Sequence, residues 1–490
     1  MATDSCSWST VQTFLDKCDD QTSRCFHQTQ WDKLCQIASG LAGHSECIAL
    51  GRVASGLNNV ARLLEFPNKS CWVARAHIRR NECPRLSSTK LAAEVATMQY
   101  IKEHSNLPLP RVFAYEADED NLVGVSFILM ELLPGIVAMD ALGGYEVHRG
   151  VIPREYRQNF YRSVAKCHVQ LTSIRLPQIG TIVRTREGGY ECGPIPGIGG
   201  PFDTATAFFE TWAKKVKFQW DRETIIRMMR MQNAPISAEQ MVEMIEEFPL
   251  QIQAIASRLS LYDTGPFPLA HVDFFHSNIM VDGNFDVTGI IDWERACTVP
   301  WELIAFPAFL RAMPVSFDLP EHYDHHGQPL DNDLREVWRG RKDYVDMVRS
   351  MECADSLLST CLSSKRGQAI AYVYEAYSHN GKFGFYDRVM EELESLPPNI
   401  NKMRLSLAAT ALSLLALPLQ SLAATGYCCQ SKGGTKCVAP TYDCGVSCGL
   451  SGYNTDLPGH HYWVDGFGAG RCYKTCCARK GKVVVQYHNV

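Results

Sequence analysis

The sequence has 490 residues, and its formal net charge is −5 at pH 7. A chain of this length exceeds one simple hydrophobic core, so two or three compact units are expected. The composition is ordinary for a soluble globular protein, and the slightly acidic balance argues against nucleic acid as the main partner.

The first 45 residues predict a helical extension. Trp8, Phe14, Trp31 and Leu34 lie at loosely helical spacing, as in helices that pack on the outside of a following domain. The chain begins without a basic segment that leads into an apolar run, so we expect no N-terminal secretory signal. A cytoplasmic location is therefore expected for residues 1–400.

A strand hairpin is predicted at residues 48–66, where small residues separate two strand-like runs. Gly51, Ser55 and Gly56 are candidate nucleotide-binding residues, since a small turn lets backbone N–H groups approach phosphates. The two glycines do not complete a G-x-G-x-x-G motif. Taken alone, the hairpin favours an ordinary glycine turn.

A cation and a carboxylate follow on neighbouring predicted elements. Arg75 is the inward-capable cation of a strand at residues 71–76, and Glu94 lies near the first turn of a helix predicted for residues 88–104. Paired with Glu94, the guanidinium of Arg75 would be held facing a phosphate. The alternative, which the sequence supports equally well, is that Arg75 lies at a strand edge and Glu94 on a helix surface, without a functional pair.

Residues 106–135 predict the boundary between two lobes. Prolines after Asn106 end the helix, and an apolar strand stops at Pro134-Gly135. The backbone from Glu131 to Leu133 would then be free to hydrogen-bond a flat ligand such as adenine.

The next segment predicts a larger, mainly helical lobe. Apolar spacing indicates helices at residues 152–175, 204–231, 237–261, 344–362 and 367–396. His168 is more typical of a core histidine than of a metal ligand, because no partner is spaced for a metal. An acidic stretch is more typical of a solvated face than of a wall for a cationic substrate. Its residues are Glu321, Asp324, Asp331, Asp333 and Glu336.

The strongest chemical pattern is the polar loop from His271 to Asn278, which lies between two apolar runs, the second ending at Asp292. Phosphoryl transfer from ATP needs a carboxylate near the accepting hydroxyl, while an amide oxygen and a second carboxylate hold Mg²⁺. Asp273, Asn278 and Asp292 match these roles in order. A turn with solvated polar residues is the simpler alternative, but the second strand with its terminal Asp292 favours a site.

Together these motifs resemble the aminoglycoside phosphotransferase family of kinase-like enzymes, which includes antibiotic, choline and homoserine kinases. The resemblance covers about residues 50–398 and is most specific at His271–Asn278 and at Ile290-Ile-Asp-Trp-Glu294. Trp72-Val-Ala-Arg75 and the strand that ends at Gly135 add to it. The whole set is more specific than any single motif.

The resemblance implies an α+β, two-lobed protein-kinase-like fold that uses ATP and Mg²⁺. A small β-rich N-lobe would span residues 46–133, and a larger helical C-lobe would span residues 134–400. Asp273 would be the catalytic carboxylate, and Asn278 and Asp292 would be the metal ligands.

The resemblance also assigns supporting roles. Glu94 would pair with the phosphate-facing cation, Glu131–Leu133 would form the adenine-binding hinge, and His271 would orient the catalytic loop. Arg75 departs from the usual kinase lysine, and a rigid guanidinium fork can alter phosphate binding.

The spacing after Asp292 favours a small-molecule hydroxyl substrate. Pro300 and Trp301 follow without the long activation segment on which protein substrates usually dock. We therefore predict an ATP-dependent kinase of the aminoglycoside, choline or homoserine kinase type. A catalytically silent nucleotide-binding protein on the same fold is the alternative, because the glycine turn is thin and the cation is Arg75.

Residues 401–424 have the features of a secretory signal peptide inside the chain. Lys402 and Arg404 flank Met403, an apolar run follows, and small residues stand at Ser421 and Ala423. A buried helix of the kinase-like lobe would explain the same residues, and so would a membrane anchor at residues 403–422. A membrane would be a partner only in the last case.

Residues 425–490 predict a small, basic, disulfide-rich domain. Eight of the 20 cysteines lie from Cys428 onward, whereas the other twelve are scattered as expected of reduced thiols. From Met403 onward the chain has eight Lys and Arg and three Asp and Glu, so this part has a formal net charge of +5. The preceding part has 40 Lys and Arg and 50 Asp and Glu, so its formal net charge is −10. Zinc binding with His460 and His461 is the alternative to disulfides.

The two parts of the chain need different compartments. ATP chemistry belongs inside the cell, whereas a disulfide framework needs an oxidising compartment. Our hypothesis is that two gene products are joined in this sequence and that Met403 starts the second, a secreted effector or antimicrobial protein. If the join is natural, Lys402 and Arg404 would hold the kinase on the cytosolic side of a membrane and export the tail.

Overall fold

The computed structural model describes residues 8–80, 82–144, 147, 151–231, 236–260 and 262–395, together with the backbone of strands between residues 425 and 488. The chain divides into two compact units, Met1–Val389 and Met390–Val490. The signal-like segment at 401–424 and the side chains of the cysteine-rich segment at 425–490 lie outside the described residues.

An antiparallel sheet forms the first part of the larger unit. Its strands have the spatial order β1-β2-β3-β4-β6-β5 and are β1 (Ser9–Thr10), β2 (Ile48–Ser55), β3 (Asn59–Glu65), β4 (Cys71–His77), β5 (Val112–Glu116) and β6 (Phe127–Glu131). Val53, Val60 and Ala74 are fully buried in its apolar cluster. Arg75 lies on β4, which pairs with β3 on one side and with β6 on the other. These two pairings fix the orientation of the strand that carries Arg75.

Helices cover this sheet. The first three are α1 (Val11–Leu15), α2 (Asp20–Gln28) and α3 (Trp31–Leu41). Asp19 caps α2, because its carboxylate accepts hydrogen bonds from the backbone N–H groups of Gln21 and Thr22. Phe14, Phe26 and Trp31 bury their rings in the apolar cluster of the sheet.

The helix α4 (Pro84–His104) positions Glu94. It begins before the predicted Ser88, because Pro84 occupies the start of the helix, where a missing N–H costs nothing. Leu91 and Val95 pack against Ile128 of β6. This packing turns the face of α4 that carries Glu94 towards the sheet.

The second part of the larger unit is mainly helical. Its helices are α5 (Arg154–Ser173), α6 (Ala205–Lys215), α7 (Arg222–Met231), α8 (Ala238–Leu259), α9 (Asn332–Met351), α10 (Leu358–Ser363) and α11 (Lys365–Glu375). The last helix, α12 (Tyr386–Ser395), begins in this unit and continues past Val389. A π-helix at Ala376–Asn380 follows α11 directly. Phe160, Val164 and Leu171 of α5 are buried in the main apolar core.

Three predicted helices have different limits. The helix predicted at 204–231 is two helices, because the chain leaves helical geometry between Lys215 and Arg222. The predicted 344–362 helix begins much earlier, since the Asp331 side chain accepts the N–H of Leu334 and caps α9. The predicted 367–396 helix is α11, the π-helix and α12.

Short strands position the polar loop. They are β7 (Ile136–Val137), β8 (Arg175–Leu176), β9 (Thr181–Arg184), β10 (Tyr190–Gly193), β11 (Phe267–Ala270), β12 (Ile279–Val281), β13 (Val287–Ile290) and β14 (Cys297–Thr298). They form sheets with the orders β10-β9-β14-β11-β8 and β13-β12-β7. The polar loop therefore joins the end of β11 to the start of β12, and β13 pairs with β12 and ends just before Asp292.

The smaller unit contains a further antiparallel sheet with the order β16-β17-β15-β18. Its strands are β15 (Thr425–Gln430), β16 (Tyr453–Leu457), β17 (His460–Asp465) and β18 (Val483–His488). Within the described parts of the chain, no helix is both long and apolar enough to cross a membrane. The described cysteines of the larger unit, from Cys18 to Cys361, are free thiols, several of them buried, although Cys83 and Cys353 are exposed.

Candidate active site

His271 links the polar loop to the segment after β13. It is buried, and its Nε2 donates a hydrogen bond of 3.0 Å to the C=O of Ile291. Its ring meets that of Trp293 edge to face at 4.8 Å. Burial lowers the pKa of His271, so its neutral form is favoured. These contacts give the residue an orienting position, away from solvent.

Asn278 connects the two ends of the same loop. Its Nδ2 donates to the backbone C=O of Asp273 at 3.0 Å and to Oδ2 of Asp273 at 2.8 Å. Asn278 is buried, whereas Asp273 is exposed. The Asp273 carboxylate is thus held in one orientation while it remains open to a molecule in solution, and Oδ1 of Asn278 is still an acceptor.

Asp292 reaches this loop from β13. The N–H of Ile291 donates to the C=O of Asn278 at 2.9 Å, and Asp292 has a φ of 62°, a left-handed conformation that aspartate tolerates better than most residues. Among the described residues, its Oδ1 is buried without a hydrogen-bond partner. Burial raises the pKa of Asp292, Arg75 opposes the rise, and Glu294 adds to it.

Asn278 and Asp292 fit a magnesium site. Mg²⁺ is usually held by one or two carboxylates, with phosphate oxygens and water completing its coordination. The Asn278 amide oxygen and the unpartnered Asp292 Oδ1 are hard oxygen ligands of this kind. In the described part of the chain, no group of three or more His, Cys, Asp or Glu side chains could hold a metal. A cation here would therefore depend on phosphate oxygens and water.

Arg75 and Glu94 form a buried ion pair. Nη2 of Arg75 lies 2.5 Å from Oε2 of Glu94, and Nη1 lies 4.0 Å from Oδ1 of Asp292. Burial raises the pKa of the Glu94 carboxyl, and Arg75 opposes this rise. One guanidinium fork therefore faces two carboxylates, which a single lysine ammonium would do less well.

The structure corrects the predicted phosphate turn in part. Gly51 lies inside β2, so it is not part of the turn, and a side chain there would meet no atom within 4 Å. Ser55 ends β2, and Gly56 begins the turn, where its N–H donates to the C=O of Asn59 at 3.0 Å. Ser55 and Gly56 thus lie at the turn itself, whereas Gly51 lies within the strand that precedes it.

The turn also contains a residue that sequence inspection missed. Nδ2 of Asn58 donates a hydrogen bond of 3.0 Å to Oε2 of Glu294. The contact connects the hairpin turn to the segment directly after Asp292. Asn58 follows the candidate glycine and Glu294 closes the Ile290–Glu294 motif, but nothing in the sequence pairs them.

The predicted hinge is only partly available to a ligand. The N–H of Glu131 donates to the C=O of Arg111 at 2.9 Å, and its carboxylate accepts the N–H of Arg111 at 3.1 Å. The prediction of a free Glu131 N–H is therefore wrong. Leu133 lies beyond the end of β6, its side chain packs beneath Gly289, and its backbone makes no hydrogen bond to another described residue.

Two arginines that follow Asp292 in the chain were also missed. Arg311 forms an ion pair with Glu375 of α11, and Asp273 raises the pKa of Arg311, which burial lowers. Arg295 is exposed, has a φ of 64°, and lies three residues after Asp292. Arg295 adjoins a recognised motif, whereas Arg311 belongs to no pattern that the sequence reveals.

The other predicted candidates lie outside this site. His168 is buried and shares a hydrogen bond of 3.1 Å with the Tyr344 hydroxyl. Asp324 caps a local turn, Asp331 caps α9, and Glu336 pairs with Arg154 and Arg157. A cavity of about 670 Å³ between α5 and α9 contains none of the residues of the polar loop. The candidate active site is therefore identified by its side chains and their contacts, because this cavity lies elsewhere.

Comparison with protein families places the chain among phosphotransferases. The model of the phosphotransferase enzyme family matches residues 51–301, just over half of the chain. Subtelomeric hrmA-associated cluster proteins from two Aspergillus fumigatus strains are each 33% identical over 84 residues, which is 16% of this chain. The chain spans only 16% of the length of these curated relatives.

Three solved structures with a similar fold are distant in sequence. A type I macrolide 2′-phosphotransferase is 14% identical, covers 74% of this chain and 97% of its own, and has a TM-score of 0.34. An ADP-bound aminoglycoside phosphotransferase, APH(2″)-Ib, is 13% identical, covers 74% of this chain and 96% of its own, and has a TM-score of 0.37. An ethanolamine kinase from Plasmodium vivax is 13% identical, covers 82% of this chain and 93% of its own, and has a TM-score of 0.36. These TM-scores are too low to transfer site details to this chain.

Proposed function

The chain belongs to the phosphotransferase enzyme family, and from this premise we propose that it transfers the γ-phosphoryl group of ATP to a hydroxyl of a small molecule. The main support is that hydrogen bonds connect Asp273, Asn278 and the residue before Asp292 in one loop system. Asn278 donates to the Asp273 carboxylate at 2.8 Å, and Ile291, next to Asp292, donates to the Asn278 backbone at 2.9 Å. One exposed carboxylate and two oxygen ligands are what this reaction requires.

In the proposed reaction the acceptor hydroxyl oxygen attacks the γ-phosphorus and forms the new P–O bond. The bond from this phosphorus to the bridging oxygen of ADP breaks, and its electron pair leaves with ADP. Asp273 accepts the hydroxyl proton. Its exposure lets the acceptor approach, and the hydrogen bond from Asn278 keeps the carboxylate aimed at one place.

The remaining site residues would bind the nucleotide. Asn278 and Asp292 would hold Mg²⁺, which when bound neutralises charge on the phosphates. Arg75, fixed by Glu94, would face the phosphates, and the turn at Ser55 and Gly56 would supply backbone N–H groups. Adenine would meet the backbone at Leu133. His271 would keep the loop oriented without taking part in the reaction.

A small acceptor is preferred to a protein. A short 3₁₀ turn at Trp301–Leu303 follows Asp292 closely, so no long segment is available to dock a polypeptide. The identity of the acceptor would be set by the helical part of the larger unit, where Arg311 pairs with Glu375 of α11 and its charge interacts with that of Asp273.

The proposal is tested by magnesium-dependent consumption of ATP with a panel of hydroxyl compounds: aminoglycosides, choline, amino acids and sugars. Asp273→Asn should bind ATP normally but reduce kcat by about 10²-fold or more, because the proton acceptor is lost. Asp292→Ala should weaken magnesium-dependent ATP binding itself. Equal turnover by Asp273→Asn and the unaltered protein would refute the assignment.

A catalytically silent nucleotide-binding protein is the second candidate. It is supported by Gly51, which lies in β2, so the turn has fewer small residues than expected, and by Arg75 in place of lysine. Tight ATP binding without turnover across the whole panel would favour this function.

For residues 401–490 we propose a separate role, supported by sequence alone. Residues 401–424 would act as a secretory signal, Met403 would start a second product, and residues 425–490 would be a secreted disulfide-rich effector or antimicrobial protein. Residues 1–400 would remain in the cytoplasm. Transcript reads across the codons for residues 396–405 test this. Continuous spliced coverage, with one full-length polypeptide on a blot, would contradict two separate products.

A further inference from the structure

The carbonyl groups of residues 57–59, at the turn between β2 and β3, all accept hydrogen bonds. Nε of Arg80 donates to the first of these C=O groups at 2.6 Å. The backbone N–H groups of Ile78 and Gly56 donate to the second and third at 2.7 and 3.0 Å. Arg80 and Ile78 follow β4 directly, so two of the three donors come from outside the hairpin.

The N–H groups of the same turn are left for a ligand. Those of Leu57 and Asn58 donate to no other group in the described part of the chain. Because the N–H of Gly56 is used within the turn, the donors available to a phosphate shift from Gly56 to the next two residues. A turn with occupied carbonyl groups and free N–H groups presents donors without competing acceptors, which suits an anion.

Arg80 joins this turn to the start of α2. Its Nη2 donates to the carboxylate of Asp19 at 2.8 Å and to the hydroxyl of Thr22 at 2.9 Å. Its Nη1 donates to the side chain of Gln21 at 3.2 Å, and its Nε holds the C=O of Leu57. All three nitrogens of one planar guanidinium are therefore engaged, unlike those of an isolated surface ion pair.

The start of α2 is a firm support for Arg80. Oδ1 of Asp19 accepts the N–H groups of Gln21 and Thr22 at 2.9 Å each, and its Oδ2 accepts the hydroxyl of buried Thr22 at 2.9 Å. Arg80 above all, together with Thr22, holds the pKa of Asp19 well below its usual range, so the carboxylate stays charged in mild acid. Phe26, further along α2, is buried in the apolar cluster of the sheet.

We infer that Arg80 is a positioning residue for nucleotide binding, which fixes the N–H groups of Leu57 and Asn58 relative to α2 for the phosphates of ATP. Arg80 contacts no phosphate itself. The N-terminal helices are then part of the nucleotide-binding machinery, in addition to covering the sheet. The bond from Asn58 to Glu294 holds the same turn at a second point. The inference rests on the proposed function and adds no bond-making step to it.

The test is calorimetric binding of magnesium-ATP and of adenosine to the full-length protein. Arg80→Gln should weaken ATP binding at least about fivefold, because a freed turn must be ordered again when the phosphates bind. Adenosine has no phosphates, so its affinity should stay the same. The matched control is Arg79→Gln, since Arg79 is the neighbouring residue and pairs with Glu119 at 3.2 Å.

Two further variants separate position from charge. Arg80→Lys keeps the positive charge, but one ammonium does not reproduce the fork that joins Leu57 to Asp19, so it should weaken ATP binding as Arg80→Gln does. Asp19→Asn keeps a good helix cap and removes the charged partner of Arg80. It should weaken ATP binding about twofold, and it should have no further effect in the Arg80→Gln background, because Asp19 acts through Arg80.

Hydrogen–deuterium exchange provides a measurement without nucleotide. In the peptide that contains the turn, Arg80→Gln should speed exchange of the Gly56 N–H at least about threefold, because the turn is no longer held at Leu57. Arg79→Gln should leave this exchange unchanged. If Arg80→Gln does not fold, Arg80→Lys and Asp19→Asn provide the same comparisons.

The outcomes distinguish this inference from the proposed function. Equal ATP binding by Arg80→Gln and Arg79→Gln overturns the positioning role, and so does unimpaired ATP binding by Arg80→Lys. Equal losses of ATP and adenosine affinity also overturn it, as does unchanged exchange at the turn. If the unaltered protein binds no magnesium-ATP at millimolar concentration, the proposed function fails together with this inference. If it binds ATP and the Arg80 variants bind equally well, only the positioning role fails.

Discussion

The Asn58 side chain donates a hydrogen bond of 3.0 Å to the carboxylate of Glu294, 236 residues further along the chain. It ties the hairpin turn that follows Ser55 to the segment that follows Asp292. A hydrogen bond to a charged acceptor contributes about 1.5–3 kcal/mol when well formed. The turn is therefore held near the proposed phosphate site before any nucleotide binds.

We expect Asn58→Ala to raise the KM for ATP about fivefold, because a freed turn must be ordered again when the phosphates bind. kcat should change less, since the reacting groups are untouched. Asn58→Asp should have the larger effect, because it places a carboxylate against Glu294. Steady-state kinetics with varied ATP make the comparison, and an unchanged or lower KM in both variants would show that the contact is not a support for binding.

Removing Arg75 alone from its buried pair with Glu94 should destabilise the protein more than removing both residues. Arg75→Met leaves the Glu94 carboxylate buried without its partner, and we expect a loss of about 3–5 kcal/mol in the free energy of unfolding. Arg75→Met/Glu94→Met should regain most of this stability, since Nε of Arg75 and Oε1 of Glu94 have no hydrogen-bond partner among the described residues. Chemical denaturation measures both changes.

ATP binding gives the opposite pattern in the same proteins. The stable double variant lacks the phosphate-facing cation, so it should bind ATP as poorly as the single variant or worse. If the double variant restored ATP binding together with stability, the pair would be a structural feature of the sheet and not part of the nucleotide site.

The polar loop could be found in the sequence because its parts are local. Asp273, Asn278 and Asp292 lie within 20 residues, and short strands with clear apolar runs hold them in order. Local pairing of β12 with β13 then brings Asp292 back to Asn278. Such contacts depend on turn length and strand period, which a single sequence displays.

The contacts of Arg311 could not be found in this way. Its backbone segment is bonded through Ala308 to Phe274, the residue after Asp273, and its ion-pair partner Glu375 comes from a helix end further along the chain. Each contact depends on how several helices pack, and no periodic pattern records it. The error at Glu131 has a similar cause, since its N–H donates to the C=O of Arg111, directly before the neighbouring strand β5.

Gly135 and Gly51 provide a matched pair of glycine substitutions. Gly135 has a φ of 100°, and a Cβ there would lie 2.3 Å from the C=O oxygen of Val281. We expect Gly135→Ala to cost roughly 2–4 kcal/mol of stability, through backbone strain and this clash. Gly51→Ala should be neutral or stabilising by up to about 1 kcal/mol, since it adds a side chain in open space within β2.

Nucleotide kinetics of these glycine variants test the revised phosphate turn as well. Gly51→Ala should keep the KM for ATP of the unaltered protein, because Gly51 lies away from the turn. A clear rise in KM with unchanged thermal stability would return Gly51 to the nucleotide site.

His168 should make the protein less stable in mild acid. The ring is buried against Phe274 and bonded to the Tyr344 hydroxyl, and burial lowers its pKa to about 3. In the unfolded chain the imidazole regains its ordinary pKa of about 6.5. Below that pH the unfolded state takes up a proton that the folded state refuses, so the free energy of unfolding falls as pH falls.

The expected loss from this one residue is about 1.4 kcal/mol per pH unit below pH 6.5, or about 2 kcal/mol at pH 5. Replacing the imidazole in His168→Gln should remove this slope, whatever the variant does to stability at pH 8. His27→Gln is the control, because His27 is exposed and should leave the slope intact. Urea denaturation at a series of pH values gives the slopes. Parallel curves for His168→Gln and the unaltered protein would mean that His168 already carries its proton in the folded state.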